Sequence, residues 1–118
     1  RSVRAALECG YRLIDTATIY RNEDQVGRAV RDSGISREEI FITTKVWDTD
    51  QGFESTLKAF DASLKAMQLE YLDLYLIHWP VRATRRETWR ALEKLSREKR
   101  VRAIGVSNYL APHLTELL

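Results

Sequence analysis

The chain alternates between short apolar segments and longer segments in which apolar residues recur every three or four positions. Four apolar segments predict buried strands: Tyr11–Asp15, Ile40–Lys45, Leu72–His78 and Val101–Ser107. Helices are predicted over Glu23–Ser33, Gln51–Met67 and Arg86–Arg97, and the chain opens and closes inside two further helices. This strict alternation favours an α/β fold with a parallel sheet.

Helix boundaries are indicated by capping and stop residues. Asn22 is predicted to cap the helix that follows it, Gly34 to end that helix, and Thr84 to cap a later one. Trp89 lies on a helical apolar stripe and is predicted to pack in the core. The third helix carries the clearest apolar stripe, formed by Phe53, Leu57, Phe60, Leu64 and Met67.

A polar residue ends each predicted strand, which favours one α/β architecture over another. Asp15, Lys45, His78 and Ser107 lie 30, 33 and 29 residues apart, which is the size of a βαβ unit, roughly 30 residues. A dinucleotide-binding doubly wound sheet would need a GxGxxG turn after its first strand, and none is present. TIM barrels place their chemistry at the carboxyl ends of several strands, so the pattern predicts a (β/α)8 barrel.

The length of the chain limits how much of that barrel it can contain. A full barrel has about 250 residues, whereas this chain has 118. Residues 1–118 are therefore predicted to form one partial domain of about four βα units, the N-terminal half without its first strand. Two unpaired sheet edges would favour aggregation, so the isolated chain is expected to be inactive.

Composition and charge exclude several classes of function. The chain is 44% hydrophobic and 31% charged, which is ordinary for a globular protein, and no apolar run approaches the roughly 20 residues of a membrane span. Its one cysteine, Cys9, favours a reducing compartment, which predicts a cytoplasmic protein. Glutamates interrupt the arginine-rich segment 82–102, which favours a solvated helix face over a nucleic-acid site.

Chemistry is first indicated by Asp15 and Lys45, which end two successive strands. A buried lysine is costly unless it is paired, and Asp15 is its natural partner. One interpretation is an ion pair with no catalytic task. Tyr20 lies five residues after Asp15, in the loop at the same end of the predicted barrel. It favours catalysis instead, because a nearby ammonium makes a phenol a better proton donor.

Aromatic residues and one histidine lie at the same predicted strand ends. His78 is either a core residue or a donor to a substrate oxygen. Trp47 and Trp79 follow strand ends closely and either pack at the rim or form the wall of an apolar pocket. His78 and His113 are far apart, and no metal-ligand spacing appears.

Four ordered motifs then resemble a known family, the aldo-keto reductases. They are Gly10–Ala17 with Tyr20, Asn22-Glu23 and Val26-Gly27; Thr44–Trp47; Ile77–Pro80; and Arg102–Tyr109. The resemblance covers essentially the whole chain. The short segment Val81–Thr84 is more similar to the bacterial 2,5-diketogluconate reductase-like members than to relatives with a longer lid.

The resemblance implies a catalytic tetrad of Asp15, Tyr20, Lys45 and His78. In this family a reduced nicotinamide gives a hydride to the carbonyl carbon, the tyrosine protonates the oxygen and the histidine orients it. Asp15 would also contact the nicotinamide ribose, and Ser107 and Asn108 match the pair that holds the nicotinamide carboxamide. The remaining matches are Ile19, Trp47, His78 and Trp79 for the substrate.

The expected activity is reduction of an aldehyde or ketone by a monomeric enzyme with no membrane or nucleic-acid partner. NADP is the usual cofactor of the family, and NAD remains an alternative. A cofactor-binding regulatory subunit is a second class, since some relatives modulate ion channels. The complete tetrad favours the enzyme.

Overall fold

The computed structural model describes residues 2–118, within which five α-helices alternate with four β-strands. Short single-turn helices of the 3-10 type lie in three of the connections, at Thr18–Tyr20, Arg37–Glu39 and Asp48–Asp50. The main elements are α1 Ser2–Glu8, β1 Leu13–Asp15, α2 Glu23–Asp32, β2 Phe41–Val46, α3 Phe53–Met67, β3 Leu72–Ile77, α4 Arg85–Arg97, β4 Val101–Val106 and α5 Ala111–Leu117.

The four strands form one parallel sheet in the order β1-β2-β3-β4. Each strand pairs with the next in sequence, so the winding direction never reverses. Because parallel crossovers are right-handed, the connecting helices then lie on the same face, and α1 to α4 contact one another in succession. The doubly wound alternative requires a reversal of strand order, which is absent from residues 2–118.

The apolar core lies between the sheet and this helical layer. Ile14, Ile42 and Ile77 are buried on the covered face, and the ring of Tyr75 packs edge-on against Phe60 at 5.0 Å between centroids. On the opposite face Leu13 remains 64% exposed. The sheet is therefore packed on one side only within the described chain.

A buried carboxylate braces the amino end of the sheet. Asp73 accepts a hydrogen bond from the backbone N–H of Ile42 at 2.8 Å and forms an ion pair with Arg37 at 2.8 Å. Arg37 also donates to the carbonyl oxygens of Ile40 and Tyr71. These polar contacts thus stabilise the amino ends of the strands, at the opposite edge of the sheet from the carboxyl ends.

The structure confirms the predicted elements and shifts their boundaries. Strands β3 and β4 end one residue before His78 and Ser107. Asn22 and Thr84 occupy the predicted cap positions, but neither side chain makes a capping hydrogen bond. Asn22 Oδ1 instead accepts a hydrogen bond from Thr16 Oγ1 at 2.5 Å.

The predicted apolar faces are buried to different degrees. Trp89 is partly buried against the core. In the stripe on α3, Phe60, Leu64 and Met67 are buried, whereas Phe53 and Leu57 are half-buried near the start of the helix.

Gly27 allows α2 to pack directly on the end of α3, which generates a stability prediction. A Cβ at position 27 would lie 2.6 Å from Met67 Cα, and backbone atoms cannot move aside at low cost. Gly27→Ala should therefore lower the free energy of unfolding by about 1–3 kcal/mol despite the better helix propensity of alanine. Chemical denaturation measures this effect. Arg28→Ala, at the exposed next position, should change the free energy by less than about 0.5 kcal/mol; equal losses would contradict the explanation.

Candidate active site

The carboxyl ends of the four strands meet at one edge of the sheet and bring the predicted site residues together. Val46 is paired with Ile77, and Ile77 with Val106. The ladder continues one step further, since the N–H of His78 donates to the carbonyl of Val46 and that of Ser107 donates to the carbonyl of Ile77. Lys45, His78 and Ser107 are therefore held by backbone pairing rather than by mobile loops.

Lys45 and Asp15 form the polar centre of this edge. Lys45 Nζ lies 2.7 Å from Asp15 Oδ1 and 3.1 Å from the carbonyl oxygen of Thr16. The lysine side chain is 8% exposed and the aspartate side chain 61%. The ammonium has thus lost most of its hydration, and a carboxylate and a carbonyl oxygen replace the water. The outer part of the Asp15 carboxylate stays accessible.

The segment that carries Tyr20 forms hydrogen bonds to β2 and within itself. Thr18 Oγ1 donates to the carbonyl oxygen of Lys45 at 3.1 Å, and the Thr16–Asn22 hydrogen bond closes the loop. Arg21 ends the 3-10 turn in the left-handed region, with φ of 56°. These contacts fix the path of the backbone on both sides of Tyr20.

Tyr20 lies beside both Lys45 and His78. Its ring centroid is 5.5 Å from Lys45 Nζ and 6.0 Å from the centroid of the His78 ring, which it meets edge-on. The tyrosine is 52% exposed, so one side of it is open to a ligand. Ile19 precedes it in the same turn and is also exposed.

His78 is enclosed by aromatic rings. The Trp47 ring meets it edge-on at 5.2 Å, and the Trp79 ring lies parallel to it at 6.2 Å with 4° between the planes. His78 is buried, and its Nδ1 has no hydrogen-bond partner among the described residues. Trp47 is half-buried and Trp79 exposed, so the two rings present an apolar surface on either side of the imidazole.

Burial lowers the pKa of His78 below its ordinary value, and the positive charge of Lys45 lowers it further. Asp48 and Asp15 oppose this shift without reversing it. The imidazole is therefore neutral at pH 7, with one nitrogen a donor and the other an acceptor.

Ser107 and Asn108 follow β4 and lie next to the histidine. Asn108, in the left-handed region with φ of 62°, donates from Nδ2 to the His78 carbonyl at 2.9 Å and to Ser107 Oγ at 3.1 Å. The asparagine is exposed, and its amide oxygen remains an acceptor. A hydroxyl and an amide oxygen together suit a carboxamide, which has both a donor and an acceptor. The residues thus fit the amide end of a nicotinamide.

The burial of two side chains near the site was not predicted from the sequence. Glu23 accepts hydrogen bonds from Thr44 at 2.5 Å and from Ser63 at 3.0 Å. Gln51 donates to the carbonyl oxygen of Trp79 at 2.8 Å. A glutamate and a glutamine at the predicted starts of two helices both suggest exposed residues, so only their tertiary contacts show that they are buried.

Residues 2–118 contain neither a three-ligand metal site nor a membrane-spanning helix. No three side chains among the histidines, cysteines, aspartates and glutamates of this range are placed to hold a metal ion. Within the same range no helix combines the length and the apolar character needed to cross a bilayer.

Residues 1–118 match the model of the Aldo/keto reductase family. The chain belongs to this family. The resemblance found in the sequence is thereby confirmed, and the helix-covered parallel sheet is part of the family's (β/α)8 barrel.

Individual aldo-keto reductases are similar along the whole chain. Glyoxal reductase of Bacillus subtilis is 60% identical over 99% of this chain and 42% of its own length. An aldo/keto reductase of Brucella melitensis superimposes with a TM-score of 0.97 at 58% identity, over 98% of this chain and 46% of the other. The Bombyx mori aldo-keto reductase, solved in complex with NADP, gives 0.92 at 38% identity, over 98% and 42%. The chain spans about two fifths of the length of the curated relatives it matches.

The lowered pKa of His78 predicts that the stability of the folded chain decreases at acidic pH. Because this pKa lies below the ordinary value of about 6.5, the unfolded chain binds more protons than the folded one just below that pH. The stabilisation contributed by neutral His78 is complete above about pH 6.5 and is lost as the pH falls towards the pKa of the folded state. An NMR titration of the imidazole should give a pKa below 6.5. A value above it would show that the aspartates outweigh burial and Lys45.

Proposed function

We propose that the full-length protein is a nicotinamide-dependent reductase that converts aldehydes or ketones to alcohols, with Tyr20 as the proton donor. The observation that carries the proposal is the contact of Lys45 with Asp15 at the strand ends, with the Tyr20 ring beside it. Membership of an oxidoreductase family supports the reaction type. When bound, the reduced nicotinamide supplies the hydride that adds to the carbonyl carbon.

The chain's own residues act on the carbonyl oxygen. Negative charge develops on this oxygen as the carbonyl is reduced, and donors already aimed at it lower the barrier. Tyr20 gives its hydroxyl proton to the oxygen, and the positive charge of Lys45 favours the phenolate that remains. Asp15 fixes the ammonium in place. His78, neutral and walled by tryptophans, donates a hydrogen bond that orients the carbonyl.

The residues that would bind the cofactor lie at the same carboxyl edge of the sheet. Ser107 and Asn108 would hold the nicotinamide carboxamide by hydrogen bonds, and the accessible side of Asp15 would accept a hydrogen bond from a ribose hydroxyl. We take NADP as the cofactor because the Bombyx mori structure was solved in complex with NADP. The reduced form, NADPH, is then the reductant for the carbonyl.

The substrate is a small carbonyl compound, and the site has apolar surface that can contact an apolar group of the substrate. Trp47, Trp79 and Ile19 offer apolar surface around the reacting position. The 60% identity with a protein named glyoxal reductase supports a small aldehyde as the first substrate to test. We take the enzyme to be a cytoplasmic monomer.

Replacing the Tyr20 hydroxyl should abolish most of the activity. In the full-length protein Tyr20→Phe should lower kcat with glyoxal by about 10²–10⁴-fold, because it removes the proton donor while keeping the ring. Cofactor oxidation followed by absorbance measures kcat, and fluorescence titration should show retained NADPH binding. The full-length protein is used because residues 1–118 alone leave β1 and β4 with one paired side each and are expected to be inactive.

Tyr11→Phe is the matched control, since Tyr11 is exposed and precedes β1 at the opposite end of the sheet. It should retain the wild-type kcat. Undiminished activity in Tyr20→Phe would show that the hydroxyl is not the proton donor. A full-length protein that binds NADPH but reduces no carbonyl would contradict the proposed function and favour a regulatory role.

A further inference from the structure

Gln51 joins the two connections that carry the tryptophans of the site. It follows the 3-10 turn after Trp47, at the end of β2, and its side chain is buried. Its Nε2 donates to the backbone carbonyl oxygen of Trp79, beyond β3, at 2.8 Å. One buried amide thus links the segment after Trp47 to the segment that begins with Trp79.

Thr88 on α4 fixes the orientation of that amide. Its Oγ1 accepts a hydrogen bond from the N–H of Gly52 at 2.9 Å. Its hydroxyl proton is shared between the carbonyl of Thr84 at 2.9 Å and Gln51 Oε1 at 3.3 Å. Thr88 is fully buried, so water cannot replace these bonds at low cost. With Oε1 facing Thr88, the Nε2 of Gln51 is directed at Trp79.

Trp79 is only partly enclosed by the protein, so the hydrogen bonds of its backbone contribute to its position. It is 45% exposed, so its ring is packed on one side only. The next residue, Pro80, has no N–H to donate. The Trp79 carbonyl accepts two hydrogen bonds in the structure, from Gln51 and from the N–H of Val81 at 3.0 Å. Loss of the Gln51 bond would leave the ring free to turn away from His78, to which it now lies parallel.

From these contacts we propose that Gln51 and Thr88 are positioning residues that hold the Trp79 wall against His78 and thereby determine how well the site accepts aromatic carbonyl substrates. This inference rests on the proposed function. A small dicarbonyl such as glyoxal reaches Tyr20 and His78 without using the wall. An aromatic aldehyde must pack its ring on Trp47 and Trp79, so its binding depends on where Trp79 lies.

Substitution of Thr88 tests this role in the full-length protein. Thr88→Val keeps the branched shape but removes the hydroxyl, which leaves Gly52 N–H and Gln51 Oε1 without their partner. The ratio of KM for benzaldehyde to KM for glyoxal should rise about tenfold, the effect of one lost buried hydrogen bond on binding. Thr88→Ser keeps the hydroxyl and should restore the wild-type ratio. Thr115→Val, at an exposed threonine of α5, is the matched control and should also give the wild-type ratio.

A wild-type ratio in folded Thr88→Val would overturn the proposal, and so would the same increase in Thr88→Ser, since lost packing would then explain it. If Thr88→Val does not fold, Gln51→Met removes the donor to Trp79 at nearly constant volume. It should raise the ratio by the same factor, and an unchanged ratio would again overturn the proposal.

A readout independent of catalysis separates this proposal from the proposed function. Acrylamide quenching of Trp79, taken as the difference between each protein and its Trp79→Phe counterpart, should be stronger in Thr88→Val than in wild type. Stronger quenching supports the positioning role even if the wild-type protein reduces neither aldehyde, in which case only the proposed function fails. Equal quenching would overturn the positioning role.

Discussion

Lys45 carries a full charge in a position that water scarcely reaches, and the carboxylate of Asp15 balances it from the neighbouring strand. This pairing needs parallel strands whose ends meet at one edge. Asp15 is in register with Thr43, so Lys45 extends two residues further along β2 and its flexible side chain reaches back to the carboxylate. Because the strands are parallel, their carboxyl ends all lie at that edge, and the single winding direction of the sheet places the connecting helices on one face.

Around this ion pair, hydrogen bonds from polar side chains fix the connections. Thr18 and Asn22 hold the segment with Tyr20, while Gln51 and Thr88 hold the segment with Trp79. Each bond joins residues from different βα units or closes a loop on itself. The proposed chemistry thus depends on strand ends for its charged groups and on a few hydroxyl and amide groups for the placement of its aromatic side chains.

The sequence alone predicts the strands well because a buried parallel strand is a short apolar run whatever surrounds it. It also predicts that Lys45 and Asp15 meet, since a lysine in such a run requires a partner. The roles of Gln51 and Thr88 were not predicted, because their partners lie 28 and 37 residues away and polar residues in a connection or on a helix suggest exposure. The cap residue Asn22 shows the same limit, as its side chain bonds to Thr16 instead of to the helix.

The catalytic role of the Lys45–Asp15 pair is tested most directly by the single-turnover rate of carbonyl reduction by the full-length Lys45→Met variant. Methionine keeps most of the length of the side chain and removes the charge that adjoins Tyr20 and Asp15. We expect a rate lower by about 10²-fold or more, with NADPH still bound. A rate equal to that of the wild-type protein would show that the Lys45–Asp15 pair only supports the fold, and the proposed mechanism would be wrong.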